Sequence, residues 1–278
     1  AVQNRGYKLV KAEVYGESEL RSRIRTAWAG AELHFYRVTG STNLLAKQAG
    51  EENGAHGALF VADEQTAGRG RRGRSWQSPP GVNIYFTILL RPDFSPDQAS
   101  MLTLVMAHSV ASAIRRLTGM EPGIKWPNDV LLEGKKVCGI LTEMSVEREY
   151  IHYVVCGVGI NVIPQDFPEG IREHATSVEA VYGQPVSKGA LLQYVMEAFE
   201  RDYDAFVAAG DLTPLLESYN EMLVNRGRRV RVLDPKGEWE GNAKGINARG
   251  ELLVEDAEGG VTAVYAGEVS VRGIYGYV

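Results

Sequence analysis

Residues 68–76 read GRGRRGRSW, four arginines and three glycines in nine positions. Glycine lets a backbone bend sharply and approach a ligand closely. Arg69, Arg71, Arg72 and Arg74 surround that backbone with positive charge, and guanidinium forks match phosphate or carboxylate oxygens. Such a loop suits a polyanion; the other reading is an exposed basic loop with no specific ligand. The segment also satisfies G-x-G-x-x-G, with Asp93 lying 20 residues beyond Gly73. That dinucleotide fingerprint must open a helix after a strand. Here Pro79, Pro80 and Gly81 follow and prevent a helix, so the context fails. GVGIN at 157–161 is only a partial match, because Val162 replaces the third glycine. No Walker A loop and no G-x-S-x-G elbow occurs.

The second cluster is Lys125, Trp126, Pro127, Asn128, Asp129. A lysine ending a short strand before a proline turn projects its ammonium at a sheet edge, and Trp126 and Pro127 stiffen that position. The alternative is a surface turn in which Asn128 and Asp129 serve turn chemistry. Gly139, followed by Ile140, Leu141 and Glu143, and Gly157 and Gly159, followed by Asn161, are weaker signals. An isolated glycine in a strand marks close backbone approach.

These groups need a scaffold. Strands are expected at 4–10, 33–38, 58–62, 83–90, 124–126, 130–132, 137–144 and 151–160, from their apolar and β-branched content. A helix is expected at 17–28. Another runs from 41 to 49, with Ser41 or Thr42 as cap and Gly50 as stop. The firmest helix spans 96–117, with Ser95 before Pro96, Gln98 placed for a capping box and Gly119 as stop. His108 falls on its core edge rather than in a ligand set. Residues 133–136 form a polar hairpin turn, and 162–176 a long loop suited to a lid. Helices follow at 188–208 and 212–224. Beyond Asn225, five short alternating segments punctuated by Gly237, Gly250, Gly259 and Gly260 predict a small β-barrel. The larger region predicts an α+β fold, a mixed sheet covered by helices. Three parts follow: a short N-terminal segment (1–30), a main domain (31–224) and a small C-terminal barrel (225–278).

The 278 residues exceed the usual single-domain size, and 44% apolar content supplies a core. A formal net charge of −5 argues against a nucleic-acid-binding module, so the arginine cluster is a local feature. Cys138 and Cys156 sit in apolar runs and read as buried reduced thiols, which fits a cytoplasmic protein. The five histidines lack metal-ligand spacing. No signal peptide and no bilayer-spanning run is present.

In order, the chain carries STN (41–43), EQTAGRGRRGRSW (64–76), KWPNDV (125–130), GIL-x-E (139–143) and GVGINV (157–162). This series closely resembles the biotin–protein ligases in order and interval, over about residues 31–275. GEVSVR (267–272) is similar to their C-terminal domain. Residues 2–10 resemble the last wing strand of the winged helix-turn-helix of bifunctional members. The expectation is a ligase without that DNA-binding head, from a parent that also represses biotin genes.

The resemblance implies a biotin/lipoate ligase-like catalytic domain followed by an SH3-like barrel. It implies that biotin and ATP, with Mg²⁺, form biotinyl-5′-AMP, and that biotin passes to one lysine of a biotin carboxyl carrier domain of a carboxylase. It places Lys125, Arg69 and Arg71 as the catalytic cations. Biotin would be held by Ser41, Thr42, Asn43, Gln65, Gly68, Arg69, Arg71, Lys125, Gly139 and Gly157. The nucleotide would be held by Arg71, Arg74, Trp76, Asn128 and Asn161; metal ligands are not assigned. It further implies a homodimer, operator DNA contacted only through the missing head, and no membrane partner. The rivals are a lipoate ligase or octanoyl transferase of the same fold, the latter needing a catalytic cysteine, or the nucleic-acid module.

Overall fold

A computed structural model describes residues 15–148, 150–234, 237–265 and 270–273. The expected strand at 4–10 lies outside the described residues. Seven strands form one mixed sheet: β1 (Leu33–Thr39), β2 (Leu59–Gln65), β3 (Asn83–Leu90), β4 (Gly123–Lys125), β5 (Asp129–Leu132), β6 (Lys135–Glu147) and β7 (Tyr150–Asn161). Their order is β1-β2-β3-β7-β6-β5-β4, with β1 and β2 parallel and every other neighbour antiparallel.

The helices are α1 (Glu17–Arg23), α2 (Thr42–Glu51), α3 (Pro96–Ala99), α4 (Met101–Thr118), α5 (Val178–Tyr182), α6 (Lys188–Ala209) and α7 (Leu216–Met222). A second, antiparallel sheet follows: β8 (Arg229–Asp234), β9 (Gly237–Ile246), β10 (Leu252–Glu255), β11 (Val261–Val264) and β12 (Ser270–Gly273), in the order β11-β10-β9-β8-β12. Among the described residues no helix is long and apolar enough to cross a membrane.

The period-two rule of strands explains the layering. On β3, Ile84, Phe86, Ile88 and Leu90 enter the main core with α4 and α6, while Leu89 joins Ala46 of α2 on the other face. On β7, Val154, Cys156, Val158 and Ile160 face the main core, and Tyr153 and Val155 face α2. Covered on both sides, β3 is buried along its whole length.

Several expected boundaries move. The predicted helix at 96–117 is two helices joined at Ser100; its capping box, Ser95 with Gln98, is present. The first helix stops at Arg23, not 28, and α5 was not foreseen. Gly50 does not stop α2. It lies in the last turn, where a Cβ would come within 2.7 Å of the Tyr153 ring. The 133–136 hairpin shortens to Glu133 and Gly134, both at positive φ, which returns Lys135 and Lys136 to β6. The 212–224 helix splits into a 3₁₀ turn at Thr213–Leu215 and α7. His108 is a buried cross-brace: Nδ1 lies 2.7 Å from Asp202 Oδ2 on α6, and Nε2 lies 2.9 Å from Ser218 Oγ on α7.

Candidate active site

Helix α2 covers only part of its face of the sheet. Beyond its N-terminus the same face of β6 and β7 continues as Gly139, Gly157 and Gly159, with Gly139 paired to Gly159 and Leu141 to Gly157. Three glycines make a floor with no side chains. A Cβ on Gly157 would stand 1.9 Å from Asn43 Oδ1, and one on Gly159 2.4 Å from Trp76 Nε1. Above this floor lies a cavity walled by Ser41, Thr42, Asn43 and Gln65 and by Arg69, Arg71, Asn128 and Lys136, with Asn43 over Gly157 and Lys136 over Gly139.

The neutral end is a connected hydrogen-bond network. Ser41 takes the N-cap position of α2, yet its side chain makes no capping bond, which leaves the hydroxyl to the cavity. Gln65 Oε1 accepts from Thr42 N at 2.9 Å, and Gln65 Nε2 donates to Ser78 Oγ at 2.9 Å. Thr87, on the site face of β3, has its hydroxyl 2.6 Å from Asn43 Oδ1. Asn43 Nδ2 donates to Glu143 Oε2 at 2.9 Å, and Lys47 Nζ pairs with Glu143 Oε1 at 2.5 Å. Burial works to raise the Glu143 pKa, but hydrogen bonds from Lys47 and Asn43 prevail and hold it below the ordinary value. Both amide groups are thus oriented before any ligand arrives.

The cationic end is built by the arginine segment, which folds as a small hairpin. Gly70 N donates to Arg74 O at 2.7 Å and Trp76 N to Gly68 O at 2.9 Å. Arg72 (φ 57°) and Gly73 (φ 71°) turn it in the left-handed region. A Cβ on Gly68 would meet Trp76 O at 2.4 Å, so this glycine serves the close approach of the hairpin's two arms. Arg71 Nη1 donates to Asn128 Oδ1 at 3.0 Å. Burial and neighbouring Arg72 pull the Arg71 guanidinium below its ordinary pKa, while Asp129 opposes them. Lys136 Nζ pairs with Asp129 Oδ1 at 2.6 Å and lies 5.3 Å from the Trp76 ring centroid. The Trp76 indole N–H is buried against the glycine floor without a hydrogen-bond partner.

Most of the expected site residues meet here: Ser41, Thr42, Asn43, Gln65, Arg69, Arg71, Trp76, Asn128, Gly139 and Gly157 all line the cavity. Four do not. Lys125 is buried on β4, the cross-strand partner of Asp129, and is absent from the cavity wall. The lysine in the wall is Lys136, which sequence reasoning had set in a hairpin turn. Its signal was available: it precedes Gly139 by three residues on the same strand. Arg74 is exposed on the outer arm of the hairpin. Gly68 supports the hairpin from behind, and Asn161 holds the base of the 162–176 loop, donating from Nδ2 to Thr176 O at 3.1 Å. The far end of that loop is tied to Lys136 itself: Lys136 N donates to His174 O at 2.7 Å, and Thr176 N to Lys136 O at 2.9 Å.

The cavity is small. It encloses about 50 Å³, against roughly 300–1,000 Å³ for ligand pockets in general. Trp76, lying on Gly139 and Gly159, takes up the space. Both cysteines are fully buried and face the core; burial pushes the Cys156 thiol up to about 12 and Cys138 higher still. Neither has the exposure or the thiolate character of a nucleophile.

Comparison with known proteins decides the lineage. Residues 35–161 match the model of the biotin/lipoate A/B protein ligase family, and residues 227–272 match the biotin protein ligase C-terminal domain. The chain is 35% identical over 274 residues to the bifunctional ligase/repressor BirA of Bacillus subtilis, covering 98% of this chain and 84% of the relative. The chain belongs to the biotin–protein ligase family. It is 33% identical to the biotin–[acetyl-CoA-carboxylase] ligase of Mycobacterium tuberculosis, over 91% of this chain and 94% of that ligase. The biotin protein ligase of Aquifex aeolicus, solved in complex with biotin and ATP, superposes with a TM-score of 0.76 at 30% identity, covering 87% of this chain and 99% of that one. Family membership accounts for the two sheets: a helix-covered mixed sheet and a small SH3-like β-domain.

Proposed function

We propose that this ligase condenses biotin with ATP in the cavity between α2 and the arginine hairpin, and then transfers biotin to a lysine of a carrier domain of a carboxylase. The observation that carries the reading is the polarity of one cavity. Neutral, pre-oriented donors and acceptors stand on the side of α2, Arg71 and Lys136 on the side of Asn128 and Asp129, with Arg69 also in the wall, and a bare glycine floor lies beneath. Biotin has this pattern: a ureido ring at one end, a carboxylate at the other, and a thioether ring with an apolar four-carbon chain between.

In the first step a biotin carboxylate oxygen attacks the α-phosphorus of ATP and pyrophosphate leaves. Both reactants are anions, so fixed cations aimed at the reacting oxygens lower the barrier. Arg69, Arg71 and Lys136 are placed for that role, with Asn128 holding Arg71 and Asp129 holding Lys136. Lys125 acts from behind, as the cross-strand neighbour of Asp129. In the second step the acceptor ε-amine attacks the acyl carbon, AMP departs and the amine loses a proton.

Among the described residues no three His, Cys, Asp or Glu side chains converge as a metal cage. Mg²⁺ belongs with the nucleotide, where phosphates and one or two carboxylates suffice; Asp129, paired with Lys136, is a carboxylate beside this site. When bound, the ion would neutralise phosphate charge. Ligand entry requires Trp76 to leave the glycine floor, which frees its N–H and opens the cavity. The 162–176 loop, joined to Lys136 through the backbone, is the segment that would close over the adenylate.

The deciding experiment mixes the chain with α-labelled ATP and either biotin or lipoate, and resolves the acyl-adenylate. Biotin-dependent adenylate supports the reading; adenylate only with lipoate overturns it.

A further inference from the structure

The turn that carries Asn128 and Asp129 is held from the C-terminal domain. Trp126 is fully buried, and its indole N–H donates to Gly250 O at 3.0 Å. Its backbone N–H donates to Asn225 Oδ1 at 2.9 Å, and Val224 N donates to Ile124 O at 3.0 Å. Trp126 therefore joins strand β4 to two segments more than ninety residues away in sequence.

The receiving turn, 247–251, is itself stiff. Asn247 Oδ1 accepts from the backbone N–H of Arg249 and Glu251, and Gly250 N donates to Asn247 O at 2.9 Å. Gly250 has φ 74°, and an added Cβ would stand 3.0 Å from Leu104 and 3.1 Å from Leu212. Leu212 N donates to Ala248 O at 2.8 Å, which pins the turn to the main domain. The Gly250 carbonyl is thus a fixed acceptor.

Two residues after Trp126, Asn128 receives Arg71 Nη1, and its carbonyl accepts from Ile140 N at 3.0 Å. Asp129 then receives Lys136. The cations of the cavity are aimed by side chains whose own backbone is set at Trp126.

We infer that Trp126, through its bond to Gly250, is a positioning residue for adenylate formation, so that seating of the C-terminal domain sets the aim of Arg71 and Lys136. This rests on the reading given under Proposed function. The biotin end, on α2, β2 and β3, has no part in the path. The inference thus separates two quantities: the rate of adenylation depends strongly on Trp126, and biotin affinity only through the cations that meet its carboxylate.

Trp126→Phe keeps the ring and deletes the donor. Gly250→Ala leaves Trp126 in place and displaces the acceptor, since the new Cβ would press on Leu104 and Leu212. For each, the melting temperature, biotin affinity by calorimetry and adenylation kcat are measured well below the melting point. The expected result is a fall in kcat of about tenfold to a hundredfold, the size of effect that slight misplacement produces, with a much smaller change in biotin affinity. A lowered melting temperature with kcat unchanged in both variants overturns the inference and leaves a purely structural tryptophan. If neither variant folds, hydrogen exchange on the wild-type chain decides. Biotin plus ATP should then slow exchange in 247–251, and unaltered exchange there counts against the link. Wild-type chain that makes no biotinyl-adenylate defeats the functional reading instead, which keeps the two failures apart.

Discussion

Lys136 Nζ lies 2.6 Å from Asp129 Oδ1, and this pair joins the two strands that bound the cationic end of the cavity. Both side chains are mostly shielded from solvent. A lysine held in this way presents its charge at a fixed point, which is the preorganisation that electrostatic catalysis requires. Two lysines of this region are candidates for the same role, and they stand differently relative to the cavity. Lys136 is in the cavity wall, and Lys125 is one strand away, opposite Asp129.

Lys136→Gln should reduce adenylation kcat by about a hundredfold or more, the usual scale for a lost electrostatic stabiliser, while the melting temperature barely moves. Lys125→Gln should show the reverse emphasis, with a lower melting temperature and a smaller kinetic loss. Single-turnover adenylate formation and thermal melts on both variants check this. Equal kinetic losses would return Lys125 to the catalytic role.

Gly157→Ala should weaken biotin binding by about tenfold to a hundredfold. The new Cβ would stand 1.9 Å from Asn43 Oδ1, whose amide is already fixed by Thr87 and Glu143. Relief requires Asn43 to move, at a cost of about 1–3 kcal/mol for an overpacked site. Calorimetric titration with biotin reads the loss directly; wild-type affinity would show that the floor tolerates a methyl group.

Arg71→Gly should loosen the hold on the adenylate more than it harms folding. The hairpin is already glycine-rich, and the loss is one guanidinium anchored on Asn128. Loss of a charge-assisted bond costs about 1.5–3 kcal/mol, which appears as faster release of activated biotin and labelling of bystander lysines. An unchanged release rate would remove Arg71 from ligand contact.

Acid should weaken the Asn43 network through Glu143. Its folded-state pKa lies below the ordinary 4.5, so its contribution is present above about pH 4.5 and is lost as pH falls through the folded value. Glu143→Gln should therefore flatten the fall in melting temperature below that pH, and it should free Asn43 to reorient. Parallel melting curves of wild type and variant across pH 3–7, offset by a constant, would exclude this link.

Much of the site was legible because its chemistry is local. Arginines next to glycines announce anion binding, and STN, GRGRRGRSW and KWPND stand in a fixed order, so Ser41, Thr42, Asn43, Gln65, Arg69 and Arg71 could be named before any fold was known. Strands β3 and β7 were equally readable from their apolar and β-branched content, though not which face each residue takes, because β3 is buried along its whole length. What the sequence could not supply were choices made by packing. A one-residue change in where a hairpin turns reverses the face of every residue after it. Glu133 and Gly134 alone form the turn, and that placed Lys136 in β6 and in the cavity wall. Gly50 looked like a helix stop until Tyr153 was seen to need its missing side chain. Trp126 read as a stiffener of its own turn, and only the tertiary fold brought Gly250 within hydrogen-bonding distance of its indole. Residue types determined which chemistry was possible; long-range contacts, which no local pattern encodes, decided which lysine lines the cavity and what holds that lysine in place.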